Sequence, residues 1–200
     1  MSSAEDHEAL RAPTLTAGAR RILDVASELF YRCGIHAVGV DTIAAESGIT
    51  KRTLYNRFGS KDRLVEAYLQ ARHHAWWELM EQRVAASPGS GVLALWDSYT
   101  ENVDFSERGC AFINAAGELP ADHPAHSVVR AHKRAVRRHL EALVRADHPG
   151  IAGPEAAANL VFLLLEGAIT HHGISDDPDL LRRAREAAER LLRDERAALH

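Results

Sequence analysis

The chain has 200 residues, of which 46% are hydrophobic and 26% charged, with a formal net charge of −4 when the histidines are neutral. These values exclude a disordered chain, a collagen-like repeat and a disulfide-built scaffold, and two distant cysteines, Cys33 and Cys110, suit a reducing compartment. The N-terminus is acidic and polar without an apolar signal core. The longest strongly apolar stretch, Leu160 to Leu165, is well short of the roughly 20 residues that span a bilayer. A soluble, cytoplasmic protein with no membrane partner is expected. On net charge alone, a mildly acidic chain argues weakly against a nucleic-acid partner.

Residues 1–15 are polar, contain Pro13 and lack periodicity, so a flexible arm is expected there. Arg11 in that arm could reach a minor groove, although a lone arginine in a tail is most simply solvated. From Thr16 the spacing of Ile22, Ala26, Leu29 and Phe30 predicts a helix, with Thr16 as N-cap and Gly34 as its stop. Two shorter helices follow, over about 40–47 and 51–58, separated by Gly48-Ile49-Thr50. Ser60 caps a long helix running to about Ala86, before the breakers Ser87-Pro88-Gly89-Ser90-Gly91. Further helices are predicted over about 92–105 and 111–118, from Pro124 to about 146, from Pro154 to about 172, and over about 178–198. No run has β-branched, period-two character, so the class is all-α.

The segment from Gly39 to Leu64 is the informative one. Two helices of about two turns, joined by a short turn with a glycine, make a helix-turn-helix whose second helix can enter a major groove. Ile43 and Ala44 are apolar on the first helix, Gly48 permits the tight turn, Ile49 fills the gap between the helices, and Thr50 caps the second. Leu54 and Phe58 point back to the core. The outward face is left with Lys51, Arg52, Thr53, Tyr55, Asn56 and Arg57, residue types that bond base edges and phosphate oxygens. Residues 50–61 hold Lys51, Arg52, Arg57 and Lys61 and no acid, so this one stretch is positive while both flanking parts of the chain are net negative.

These residues resemble the DNA-binding domain of the TetR family of bacterial transcriptional regulators. The matching positions are Ile22 to Phe30, Gly34, Ile43-Ala44, Gly48, Lys51 to Phe58 with its Thr-Leu-Tyr centre, and Ser60-Lys61 before Leu64. The resemblance covers about residues 17–66. It implies an N-terminal three-helix domain over 16–62 that contacts DNA through Lys51, Arg52, Thr53, Tyr55, Asn56 and Arg57, with Lys61 on phosphate. It also implies a C-terminal helical ligand-binding and dimerisation domain over 63–200. Gly39 stands where such proteins usually have a serine or threonine cap, and Asp41, whose carboxylate should avoid the DNA backbone, is assigned no contact.

The stretch Ala156 to Leu165 is apolar in every direction, more than a peripheral helix of a small monomer can hide. A homodimer through about 154–172 and 178–198 would bury it, as the resemblance also implies, and two reading heads on one two-fold axis would recognise a palindromic double-stranded operator. The resemblance further implies a pocket for a small-molecule effector in the middle helices, with Trp76, Trp77, Met80, Trp96, Tyr99, Cys110, Phe112, Ile113, Asn114 and Glu118 as candidates; the same residues would suit a plain core.

Histidines gather between His123 and His172. His123 and His126 have a spacing that could bind metal, but no cysteine or carboxylate stands at a familiar distance, so no metal and no cofactor is assigned. The basic run Arg130, Lys133, Arg134, Arg137, Arg138 is read as the wet face of its helix. The expected function is a ligand-responsive regulator, not an enzyme, most simply a repressor. The rivals are an activator of the same family without ligand, and an all-α metal-dependent hydrolase using His123, His126 and Glu118.

Overall fold

The computed structural model describes residues 3–100, 108–172, 174, 177 and 179–193, and every regular element among them is a helix. In chain order these are α1 (Ser3–Ala9), α2 (Ala17–Cys33), α3 (Val40–Ser47), α4 (Lys51–Phe58), α5 (Lys61–Ala86), α6 (Gly91–Thr100), α7 (Ala111–Glu118), α8 (His126–Asp147), α9 (Pro154–His172) and α10 (Leu180–Arg193). The protein is all-α, as its sequence indicates. Residues 101–105 of the sixth expected helix and 178 and 194–198 of the last lie outside the described residues. Among the described residues, no helix is long and apolar enough to cross a membrane.

Local chemistry explains most of the boundaries. The Thr16 side chain accepts from the Ala19 N–H, and the Gly34 N–H closes α2 on the Phe30 carbonyl. Pro124 precedes α8 by two residues instead of opening it, because residues 124 and 125 form a turn. The N-terminal segment, read from the sequence as a flexible arm, contains a short helix. This is α1, whose first turn carries Glu5 and Asp6 where the helix dipole favours anions. Gln70 Nε2 donates to the Ala9 carbonyl at 3.0 Å and His74 Nε2 to the Leu10 carbonyl at 2.6 Å, which ties down the end of this helix.

The described residues pack as two compact units: those up to Ala75 together with 111–132, and those of 76–110 together with 133 onward. The first unit thus groups α7 and the start of α8 with the helix-turn-helix, where the sequence division falls at residue 62. Its core is built on Ile22, Ala26, Phe30, Ile43, Leu54, Leu64 and Leu69, all 2% exposed or less. His73 and His132 are also buried in it, with their Nδ1 atoms 3.0 Å apart and the His132 ring stacked on Phe112 at 3.7 Å.

Burial, helped by neighbouring His74, lowers the His73 pKa from 6.5 to about 4. The unfolded chain therefore binds more protons than the folded one between pH 4 and 6.5. The neutral imidazole contributes its full stability above pH 6.5, and that contribution is lost as pH falls towards 4, by about 2 kcal/mol after allowance for solvent screening. A melting midpoint that drops between pH 7 and 4.5, with a shallower drop in His73→Gln, is the expected result; equal drops would contradict it.

In the second unit, α9 buries Ala157, Ala158, Val161, Leu165, Ala168 and Ile169, and all of these but Ala168 pack with Met80, Leu95, Trp96, Val136, Leu140, Ala188 and Leu192 in one apolar cluster. Lys133 sits at the margin of this core. Its Nζ lies 2.6 Å from Glu166 Oε2, both side chains being mostly buried at 17% and 14% exposure, and it also donates to Cys110 Sγ at 3.3 Å. Lys133 is therefore a correction to the wet-face reading of its run. Arg130, Arg137 and Arg138 are exposed, whereas Lys133 and Arg134 are half-buried, because they flank the stripe formed by Val129, Val136 and Leu140.

Candidate nucleic-acid interface

Helices α2, α3 and α4 pack on one another, and two fully buried side chains, Ile43 on α3 and Leu54 on α4, fix their crossing. Gly48 ends α3 in the left-handed conformation, φ +66°, with its N–H on the Ala44 and Ala45 carbonyls; a side chain there would be strained. Ser47 is also fully buried, a residue the sequence gives no reason to single out, and its Oγ donates to the Ala44 carbonyl at 3.2 Å. Thr50 caps α4 by accepting from the Thr53 N–H at 3.2 Å. The start of the second helix is thus set by the turn itself.

With Leu54 inward, the opposite face of α4 points to solvent. Lys51, Arg52, Asn56 and Arg57 are exposed, as is Tyr55 at 43%. Thr53 is half-buried, its hydroxyl 2.9 Å from that of Thr50. Lys51 Nζ lies 2.7 Å from Asp41 Oδ1, and its bond to that carboxylate holds the ammonium above its ordinary pKa. Asp41 thus orients Lys51 across the turn, ten residues away, and a DNA phosphate would compete with it for the same cation. Lys61 is turned inward: Nζ donates to the Ile35 carbonyl at 2.7 Å. Burial lowers its pKa despite nearby Asp62 and Glu118.

The ten pocket candidates fall in both units. Met80 and Trp96, at 0% and 1% exposure, are packing residues of the second core. Trp76 stands edge-on to Tyr99 at 4.7 Å between centroids, with Trp77 at 6.0 Å, and its Nε1 donates to the Ser98 carbonyl. Lys133 lies 5.9 Å from the Tyr99 ring centroid. Burial, with Glu166 and Cys110 near, pushes the Tyr99 phenol well above its ordinary pKa. Burial alone would lower the Lys133 ammonium, but Cys110 and Glu166 outweigh it and hold the pKa up. An aromatic pair beside a buried ion pair and a thiol is a polar spot in an apolar bundle. Phe112, Ile113, Asn114 and Glu118 belong to the first unit, where Phe112 stacks on His132 and Glu118 bonds the His36 backbone.

Glu118, His123 and His126 do not converge. His123 Nε2 faces Asp62 at 3.3 Å, and His126 Nε2 donates to the Leu119 carbonyl at 3.3 Å. Among the described residues, no group of three or more His, Cys, Asp and Glu side chains is placed to hold a metal ion.

A family model described as bacterial regulatory proteins, tetR family, matches residues 22–68, the span of α2 to the first turns of α5. The HTH-type transcriptional activator FasR of Mycolicibacterium smegmatis is 47% identical over 53 residues, which are 26% of this chain and 24% of that protein. The crystal structure of a TetR-family transcriptional regulator from Streptomyces coelicolor is 31% identical, with a TM-score of 0.80 over 90% of this chain and 96% of that one. A regulator from Streptomyces avermitilis superposes with a TM-score of 0.71 at 25% identity, over 87% of this chain and 99% of that one. With the helix-turn-helix in place and a relative of this identity matched along nearly its whole length, the chain belongs to the TetR family and is a DNA-binding transcriptional regulator.

Proposed function

We propose that the protein is a homodimeric repressor that binds a palindromic operator and is released by a small molecule. The observation that carries the DNA-reading part is the division of α4, where Leu54 is fully buried while Lys51, Arg52, Tyr55, Asn56 and Arg57 face outward. These side chains supply bidentate donors for guanine, an amide for adenine and cations for phosphate. Thr53 is assigned a contact by its methyl and hydroxyl, and Lys61 one to phosphate after it leaves the Ile35 carbonyl.

The dimer reading is supported by α9. Ala156, Leu160, Leu163 and Gly167 recur on one exposed face, and the two leucines are 43% and 63% exposed. An apolar stripe of this kind, on a helix whose other face is already core, fits a symmetric contact with the same helix and α10 of a second copy. Leu163→Glu should give a folded monomer at micromolar concentration by light scattering, with operator affinity lowered at least about a hundredfold because one head must bind alone. A variant that remains dimeric would exclude this face.

The effector is proposed as a hydrophobic or aromatic small molecule held in the second unit, beside the Trp76–Tyr99 pair and the Lys133–Glu166 ion pair. Release requires that it bind the DNA-incompatible state more tightly. Activation is the second reading, favoured because the Mycolicibacterium smegmatis relative is a transcriptional activator. A reporter fused to the promoter beside the gene separates them: deletion of the regulator raises output for a repressor and lowers it for an activator.

A further inference from the structure

The corner between α7 and α8 lies in the same compact unit as the helix-turn-helix, and two of its side chains reach that segment. Glu118, the last residue of α7, accepts from the His36 backbone N–H through Oε2 at 3.1 Å, across 82 residues of sequence. Next to it, Lys61 holds the Ile35 carbonyl at 2.7 Å and the Gly34 N–H donates to the Phe30 carbonyl at 3.1 Å. Three consecutive residues between α2 and α3 are therefore each anchored. Gly34 has φ +93°, and a Cβ there would lie 3.0 Å from Glu118 Oε2. Glycine thus serves both the end of α2 and the approach of the carboxylate.

The second contact is at the first turn of α5. His123, its side chain 8% exposed, places Nε2 3.3 Å from Asp62 Oδ1, while its Nδ1 accepts from the Ala125 N–H at 3.1 Å. A neutral ring that accepts at Nδ1 carries its proton on Nε2, pointed at the Asp62 carboxylate. Helices α3 and α4 lie between the two held points.

We propose that Glu118 and His123 are positioning residues that clasp the DNA-reading helices at both ends, so that the α7–α8 corner and the helix-turn-helix move as one body. The clasp fixes the direction of α4 from outside the three-helix core, and a change at α7 is passed to the reading head through two contacts instead of through the chain. This inference rests on the operator-binding reading above. It goes further in naming the residues that set the head's orientation.

The test uses the full chain as wild type, Glu118→Ala, Glu118→Gln and His123→Phe. The first arm is amide hydrogen exchange. His36 is an exposed residue, so slow exchange of its amide in the wild type reports the Glu118 bond. Glu118→Ala should speed it at least about tenfold and loosen α3, and Glu118→Gln, whose amide oxygen still accepts, should restore most of the protection. Exchange at the rate of an open amide in the wild type, or equal rates in wild type and Glu118→Ala, overturns the clasp.

The second arm measures binding to palindromic duplexes whose centre is lengthened by one or two base pairs. The wild type should prefer the natural spacing by about tenfold or more. Glu118→Ala and His123→Phe should reduce that preference to about threefold, with affinity for a single half-site unchanged. A lowered melting midpoint with unchanged spacing preference would make these residues structural only and sink the positioning role. If the wild type binds no palindrome, the operator reading fails, and the exchange arm alone decides whether the clasp exists.

Discussion

Replacing Arg52 and Tyr55 together with alanine should lower operator affinity about a hundredfold or more, to the level of nonspecific DNA, while the melting midpoint and the proposed dimer are unchanged. Both side chains project from the face of α4 opposite the fully buried Leu54, so their removal opens no cavity and leaves no buried group unpaired. Each good contact to a base edge contributes about 1–3 kcal/mol of discrimination, and every substitution would occur twice in the proposed symmetric complex. The residual binding should be strongly salt dependent, because only phosphate contacts remain. A gel shift with unaltered affinity in the double variant would remove α4 from the interface.

Lys133→Ala should be among the most damaging single substitutions for stability. The lysine is the cation for Glu166, whose side chain is 14% exposed, and a buried carboxylate left without its partner costs about 3–5 kcal/mol. For a chain of this length that corresponds to a melting midpoint lower by roughly 10 °C. Replacing both residues, as Lys133→Met with Glu166→Leu, removes the uncompensated charge and should recover most of the loss. Scanning calorimetry of the two variants checks this; a Lys133→Ala midpoint within about 2 °C of wild type would show that the pair is solvated and structurally idle.

The helix-turn-helix was legible because its determinants are local. Thr16, Gly48 and Thr50 cap helices within three or four residues of themselves, and the alternation of Leu54 with cations and Tyr55 separates the two faces of α4 inside two turns. What escaped the sequence depends on contacts between distant residues. Lys133 sits among four arginines, and nothing local marks it as the partner of a glutamate 33 positions on. Glu118 falls among aromatic and apolar neighbours that suggest a pocket, yet its carboxylate is used 82 residues back, on the backbone of His36. Met80 and Trp96 look alike in the sequence whether they line a cavity or fill a core, and only the folded chain shows them buried in the apolar cluster. The net charge misled for another reason, since an acidic total conceals one positive stretch on α4 and the start of α5.

Footprinting of the purified protein on the intergenic DNA beside its own gene tests the central claim most directly. A dimer with two α4 reading heads should protect two half-sites related by a two-fold axis, their centres about one helical turn or a multiple of it apart, with protection weakening as salt rises. Protection that is absent at low salt, or that covers the DNA without a symmetric sequence beneath it, would contradict the assignment of this chain as a dimeric operator-binding regulator.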